Sequence, residues 1–197
     1  MSASHRVLSD AIEKDHKEMY DFYDEYVKAA GNPDAQERWA TQLRWEVARH
    51  AVGEEIIVYP LMEEKLGNKG IQLADQDRAD HQLIKERLYK LESLPAGSKE
   101  HADLLKETMD ILHKHNDHEE REDLPLLEPT LGRESSSEAA AKFKRTKQFA
   151  PTRVHPAAPN KPPFETVAGL MAAPIDKLKD MFAKFPTEDM KEHLKTK

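Results

Sequence analysis

HAVGEEIIVYPLMEEKLG, residues 50–67, returns sixty-five residues later as HNDHEEREDLPLLEPTLG, residues 115–132. Eight of the eighteen positions are identical: His50/His115, Glu54/Glu119, Glu55/Glu120, Pro60/Pro125, Leu61/Leu126, Glu63/Glu128, Leu66/Leu131 and Gly67/Gly132. The same offset relates Asp15-His16 to Asp80-His81. Two copies of one helical hairpin account for this. Each supplies one His from its first helix and a His-x-x-x-Glu pair from its second.

Four segments carry apolar residues at helical period. The first holds Ile12, His16, Met19, Tyr23 and Tyr26 on one face, with Ser9 as its expected cap and Gly31-Asn32-Pro33 as its stop. The second holds Leu43, Val47, His50, Glu54, Ile57 and Leu61; the third His81, Ile84, Leu88 and Leu91; the fourth Leu104, Thr108, Ile111, His115 and Glu119. Short connections make neighbours antiparallel, so the expected fold is all-α: an up-down-up-down four-helix bundle built from two repeated hairpins. It covers residues 1–132. After Gly132, Ser135-x-x-Glu138 fits a capping box for an additional helix over 133–150. Residues 151–163 hold five prolines and read as a Pro-rich linker, and 164–197 as an amphipathic arm with Phe164, Val167, Leu170, Met171, Ile175, Leu178, Met181 and Phe182. That arm either docks on the bundle or, through its flanking Lys177, Lys179 and Lys184, meets a protein partner or a membrane surface.

Composition removes many alternatives. The chain has 197 residues, no Cys and only 7 Gly, which excludes thiolate metal sites, iron–sulfur clusters, disulfides and cysteine nucleophiles and argues against glycine-loop nucleotide folds. Its net charge of −7 divides into −12 over residues 1–132 and +5 over 133–197. An acidic body is a poor nucleic-acid binder. No run is apolar for the length of a membrane span, and no signal peptide is visible, so a cytoplasmic location is expected.

Spacing gathers the ionisable residues. Histidine and glutamate four apart share one helix face. From His16 to its helix end is ~21 Å at the helical rise, and from the next helix start to His50 is ~24 Å; His81 and His115 give ~18 and ~25 Å. His16, His50, Glu54, His81, His115 and Glu119 therefore meet in one layer on the apolar faces. Unpaired carboxylates there are costly, and a metal pair supplies the missing positive charge. Imidazole and carboxylate donors suit iron, manganese and zinc, and two bridging carboxylates favour a redox pair over a structural zinc. Glu55 and Glu120, one residue further on, point about 100° away. They are expected behind the donors or on the surface. Pro60 and Pro125 are expected to bend or end their helices. His118/Glu122 is a third His-x-x-x-Glu pair, expected on the solvated side, and His5, His101, His113, His155 and His193 are expected to be exposed.

The residues EKDH, HAVGEEIIVYP, ADH and HNDHEEREDLP resemble the hemerythrin-like, HHE cation-binding domain over about residues 8–132. The resemblance implies two non-haem iron ions, with His16 and His50 on one, His81 and His115 on the other, Glu54 and Glu119 bridging, and open positions for O₂, NO or peroxide. It implies a protein that senses, buffers or carries iron or such small ligands, or an oxidoreductase that turns them over. A helical interaction protein with metal as a staple is the third reading. The oxygen-carrying members have His four residues after the third-helix His; here that residue is Lys85, so reversible carriage is not expected. Tyr20 and Lys85 are the polar side chains expected near the layer.

Overall fold

The computed structural model describes residues 7–161, 164–192 and 194, with the backbone alone for 164–170; His5 and His193 lie outside the described residues. All regular structure among the described residues is helical: α1 (Val7–Lys28), α2 (Pro33–Gly53), a π turn (Glu54–Val58), α3 (Tyr59–Leu66), α4 (Asn68–Leu91), α5 (Lys99–His118), a second π turn (Glu119–Asp123), α6 (Leu124–Phe149), α7 (Phe164–Asp180) and α8 (Glu188–Lys191). No described helix is long and apolar enough to cross a membrane. α1 packs on α2 and α4 on α5, as the two hairpins require.

Local chemistry sets the ends. Asn32 caps α2 by accepting the Ala35 N–H, with Pro33 in the first turn, and Ser98 caps α5 by accepting the His101 N–H at 3.1 Å. Ser9 does not cap α1. It lies inside the helix, and its N–H and hydroxyl both donate to Glu128 Oε2, at 3.1 and 2.7 Å. The Leu8 N–H goes to Ser136 Oγ. A helix start is thus satisfied from 119 and 128 residues away, which no local pattern reveals.

The two π turns fall on the same repeat positions. In each, an N–H reaches back five residues: Tyr59 to the Glu54 carbonyl and Leu124 to that of Glu119. A proline follows directly in both copies, and its missing N–H prevents the ordinary ladder from closing. Pro60 and Pro125 therefore widen their helices rather than end them.

Two apolar clusters flank the polar layer. One gathers Leu8, Ile12, Val58, Tyr59, Leu124 and Phe143; the other Met19, Tyr26, Trp39, Leu43, Leu88 and Leu105. Phe143 comes from the second half of α6, beyond a break at Gly132 (φ 70°), which packs against α1 and α2 as an additional helix. It lies against Gly53: a Cβ there would stand 2.7 Å from Phe143 Cε2. Gly53→Ala is expected to cost ~2 kcal/mol by overpacking, seen as a lower melting temperature with helicity retained.

The proline segment is not a free linker. Pro151, Thr152 and Val154 are buried, and Val154 joins the second apolar cluster. Further on, Asp176 holds His155 at 2.8 Å and Lys184 reaches Asp34 and Glu37, both at 3.0 Å. Met171, Ile175, Leu178, Met181 and Phe182 remain exposed.

Candidate metal centre

α1 and α4 bring His16 and His81 into the layer, α2 and α5 bring His50 and His115, and the first residues of the two π turns bring Glu54 and Glu119. All six are buried. One donor atom each from His16, His50, Glu54 and Glu119 lies within 4.8 Å of the others, and the same holds for Glu54, His81 and His115. Glu54 spans the two groups: Oε1 is 3.0 Å from His50 Nε2 and Oε2 is 3.4 Å from His81 Nε2. Glu119 Oε2 is 3.5 Å from His16 Nε2 and 3.6 Å from His115 Nε2. The six residues gathered by spacing thus stand together, each carboxylate between one imidazole of each pair.

Behind them runs a shell of carboxylates. His16 Nδ1 lies 2.7 Å from Glu120, His50 Nδ1 3.1 Å from Asp15, and His81 Nδ1 2.9 Å from Glu55. His115 Nδ1 has Asp77 and Asp80 at 3.9 Å each. Glu55 and Glu120 serve opposite hairpins: each turns from its own helix to the first-helix His of the other copy. Two of these carboxylates are backed by lysines. Lys85 donates to both Glu55 oxygens at 2.6 Å, and Lys147 on α6 donates to Asp15 and Glu46. Lys85, expected near the layer, orients His81 through Glu55.

Burial alone lowers an imidazole and raises a carboxylate. Against that, Glu119 and Glu120 raise His16 to about 9, and Glu54 and Glu55 raise His81 to about 10. Burial works to raise Glu54, but His50 and His81 outweigh it and hold its carboxyl low. His115 falls to about 3, because burial outweighs the raising effect of Glu119 and the neighbouring His81, His16 and His50 lower it further. Both Glu54 oxygens, Glu119 Oε2 and both His115 nitrogens are buried without a properly directed hydrogen-bond partner. Such orphaned donors, in a set of imidazoles and carboxylates, fit a pair of borderline-hard cations.

Spacing missed Tyr59. Its hydroxyl donates to Glu119 Oε1 at 3.1 Å and lies 3.1 Å from His81 Nε2. In α-winding, residue 59 would leave the face of Glu54. The π turn brings the residue five positions further on back over the first, and the repeated Pro60/Pro125 was the visible signal for it. Tyr20 is not in this layer's hydrogen bonding; its ring stacks on His113 at 3.9 Å. His101, expected to be exposed, is buried because the Ser98 cap turns it inward onto the Tyr26 hydroxyl at 2.9 Å; burial, with Arg44 nearby, lowers it to about 4. His113 is exposed and His155 half-buried.

Four imidazoles and two spanning carboxylates inside a helical bundle define a protein of the cation-binding class. The chain belongs to the hemerythrin HHE cation-binding domain family, whose model matches residues 7–127. It is similar to an uncharacterized hemerythrin-like protein of Schizosaccharomyces pombe, 52% identical over 179 residues that cover 91% of this chain and 88% of that protein. That match is longer than the stretch up to residue 127 and so runs into the C-terminal part. No solved structure matches.

Proposed function

We propose that this chain is a non-haem di-iron protein of the hemerythrin-like type that senses, buffers or carries iron or a small ligand such as O₂, NO or peroxide, in the cytoplasm. The observation that carries this reading is the pair of buried carboxylates, each standing between an imidazole of either hairpin. In it, His16 and His50 hold one ion, His81 and His115 the other, and Glu54 and Glu119 both. Bound iron would supply redox chemistry and open coordination positions. The protein's part is to orient the imidazoles through Glu120, Asp15 and Glu55, to exclude water by the flanking apolar clusters, and to hold a proton on Tyr59.

Turnover is a second reading, favoured by Tyr59 alone. Burial, with Glu119 and Glu54 nearby, pushes its phenol well above the ordinary value, so it keeps its proton for donation inside the layer. Elemental analysis is expected to find two irons per chain. One ion, or zinc alone, would refute the di-iron reading. With Lys85 tied to Glu55, no fifth imidazole completes the site. The anaerobically reduced protein is therefore expected to lose its reduced state on one exposure to O₂ and not to regain it when the gas is withdrawn. Repeated reversible optical changes over gas cycles would overturn this and single out reversible O₂ carriage among the proposed roles.

A further inference from the structure

Outside the layer, the second hairpin holds a group of three side chains, one of them Asp77, 3.9 Å behind His115. Asp77 on α4, His118 at the end of α5 and Asp123 at the end of the second π turn bring one donor atom each within 4.8 Å of one another. Asp77 and Asp123 are each 1% exposed, whereas the His118 side chain is 37% exposed. His118 Nδ1 is 3.1 Å from Asp123 Oδ2. Asp77 Oδ2 and Asp123 Oδ1 are buried with no hydrogen-bond donor from the described residues.

The repeat supplies the control. Sixty-five residues earlier stand Ile12, Gly53 and Val58. Ile12 and Val58 are buried in one apolar cluster with Phe143, whose ring closes over Gly53. The same backbone thus folds with three uncharged residues in one hairpin and carries two acids and an imidazole in the other. Bundle packing does not require the ionisable set. Two buried carboxylates at that separation are unfavourable unless a cation or proton joins them.

We propose that Asp77, His118 and Asp123 form a third, exchangeable site for a divalent transition-metal ion, an outer station on the path to the layer. His118 opens the group to solvent. Asp77 also groups with His115 and Glu119, with donor atoms within 4.8 Å, so it joins the outer group to the inner one. Two carboxylates and one imidazole suit Mn²⁺ and Fe²⁺, and three protein donors leave positions for water, which makes exchange easy. The station role rests on the proposed metal pair; the outer site itself does not.

The test is a titration of the metal-stripped full chain with Mn²⁺, with free ion read by paramagnetic resonance. Three equivalents are expected, the third roughly tenfold weaker or more. His118→Gln, at a half-exposed position, and the isosteric Asp123→Asn should each remove the weak equivalent and keep the other two. His118→Gln should also slow filling of the inner pair roughly fivefold or more at limiting Mn²⁺. A wild-type chain that takes only two ions, or a His118→Gln variant that still takes three, overturns the site. Unchanged filling kinetics overturn the station role. One weak equivalent lost in His118→Gln, with no tight pair in wild type, would uphold the outer site and refute the di-metal reading instead.

Discussion

Stripping metal from the purified protein at pH 9.5 is expected to lower its melting temperature by roughly 10 °C, and by clearly less at pH 7. The size follows from breaking buried charge pairs, ~3–5 kcal/mol, at about 2–4 °C per kcal/mol for a chain of this length. The pH dependence follows from the imidazoles. Without metal, protonated His16 and His81 supply the positive charge beside Glu119, Glu120, Glu54 and Glu55. Both are raised above the unfolded value of 6.5, to about 9 and about 10. Their stabilisation is fully present below 6.5 and is lost as pH rises through the folded values. Asp77 acts in the same direction: burial, then Glu119 and Asp123, raise its carboxyl, so the fold loses stability as that proton leaves. His115, lowered to about 3, is neutral throughout this window and contributes nothing to the slope. Bound cations replace the same protons, so the loaded protein should show a flatter profile. Thermal unfolding of stripped and loaded protein at both pH values checks this. Equal melting temperatures for the two forms at pH 9.5 would mean that the layer is stable without a cation.

Glu54→Ala is expected to reduce bound metal from two ions per chain to less than one. Its two oxygens face His50 and His81, which belong to different groups, so its loss removes a donor from both positions at once. His50→Ala removes a donor from one position and should leave about one ion. Metal analysis of the two variants side by side separates bridging from simple ligation. A Glu54→Ala protein that retains both ions, or one that loses no more than His50→Ala, would show that Glu54 does not bridge. The comparison is direct because the Glu54 side chain is fully buried and makes no hydrogen bond to the backbone.

The sixty-five-residue repeat and the helical spacing by themselves determined an all-helical chain of paired hairpins and named six side chains that meet in one layer. Both follow from local geometry: residues four apart share a face, and equal helix lengths return the chain to equal height. Tertiary packing decided the rest. It assigned Glu55 and Glu120 to imidazoles of the opposite hairpin, because a helix face 100° from the layer meets the neighbouring helix rather than solvent. It took Lys85 away from the layer centre, since a fully buried Glu55 stands within reach of its ammonium. Tyr59 entered the layer only through a π turn, a change of winding that periodicity at 3.6 residues cannot register. The additional helix decided which copy of the repeat stays apolar. Phe143 fills the space over Gly53 in one hairpin, while its repeat partner His118 reaches solvent above two buried acids in the other. Two copies of one sequence pattern acquire different chemistry because a helix packs against only one of them.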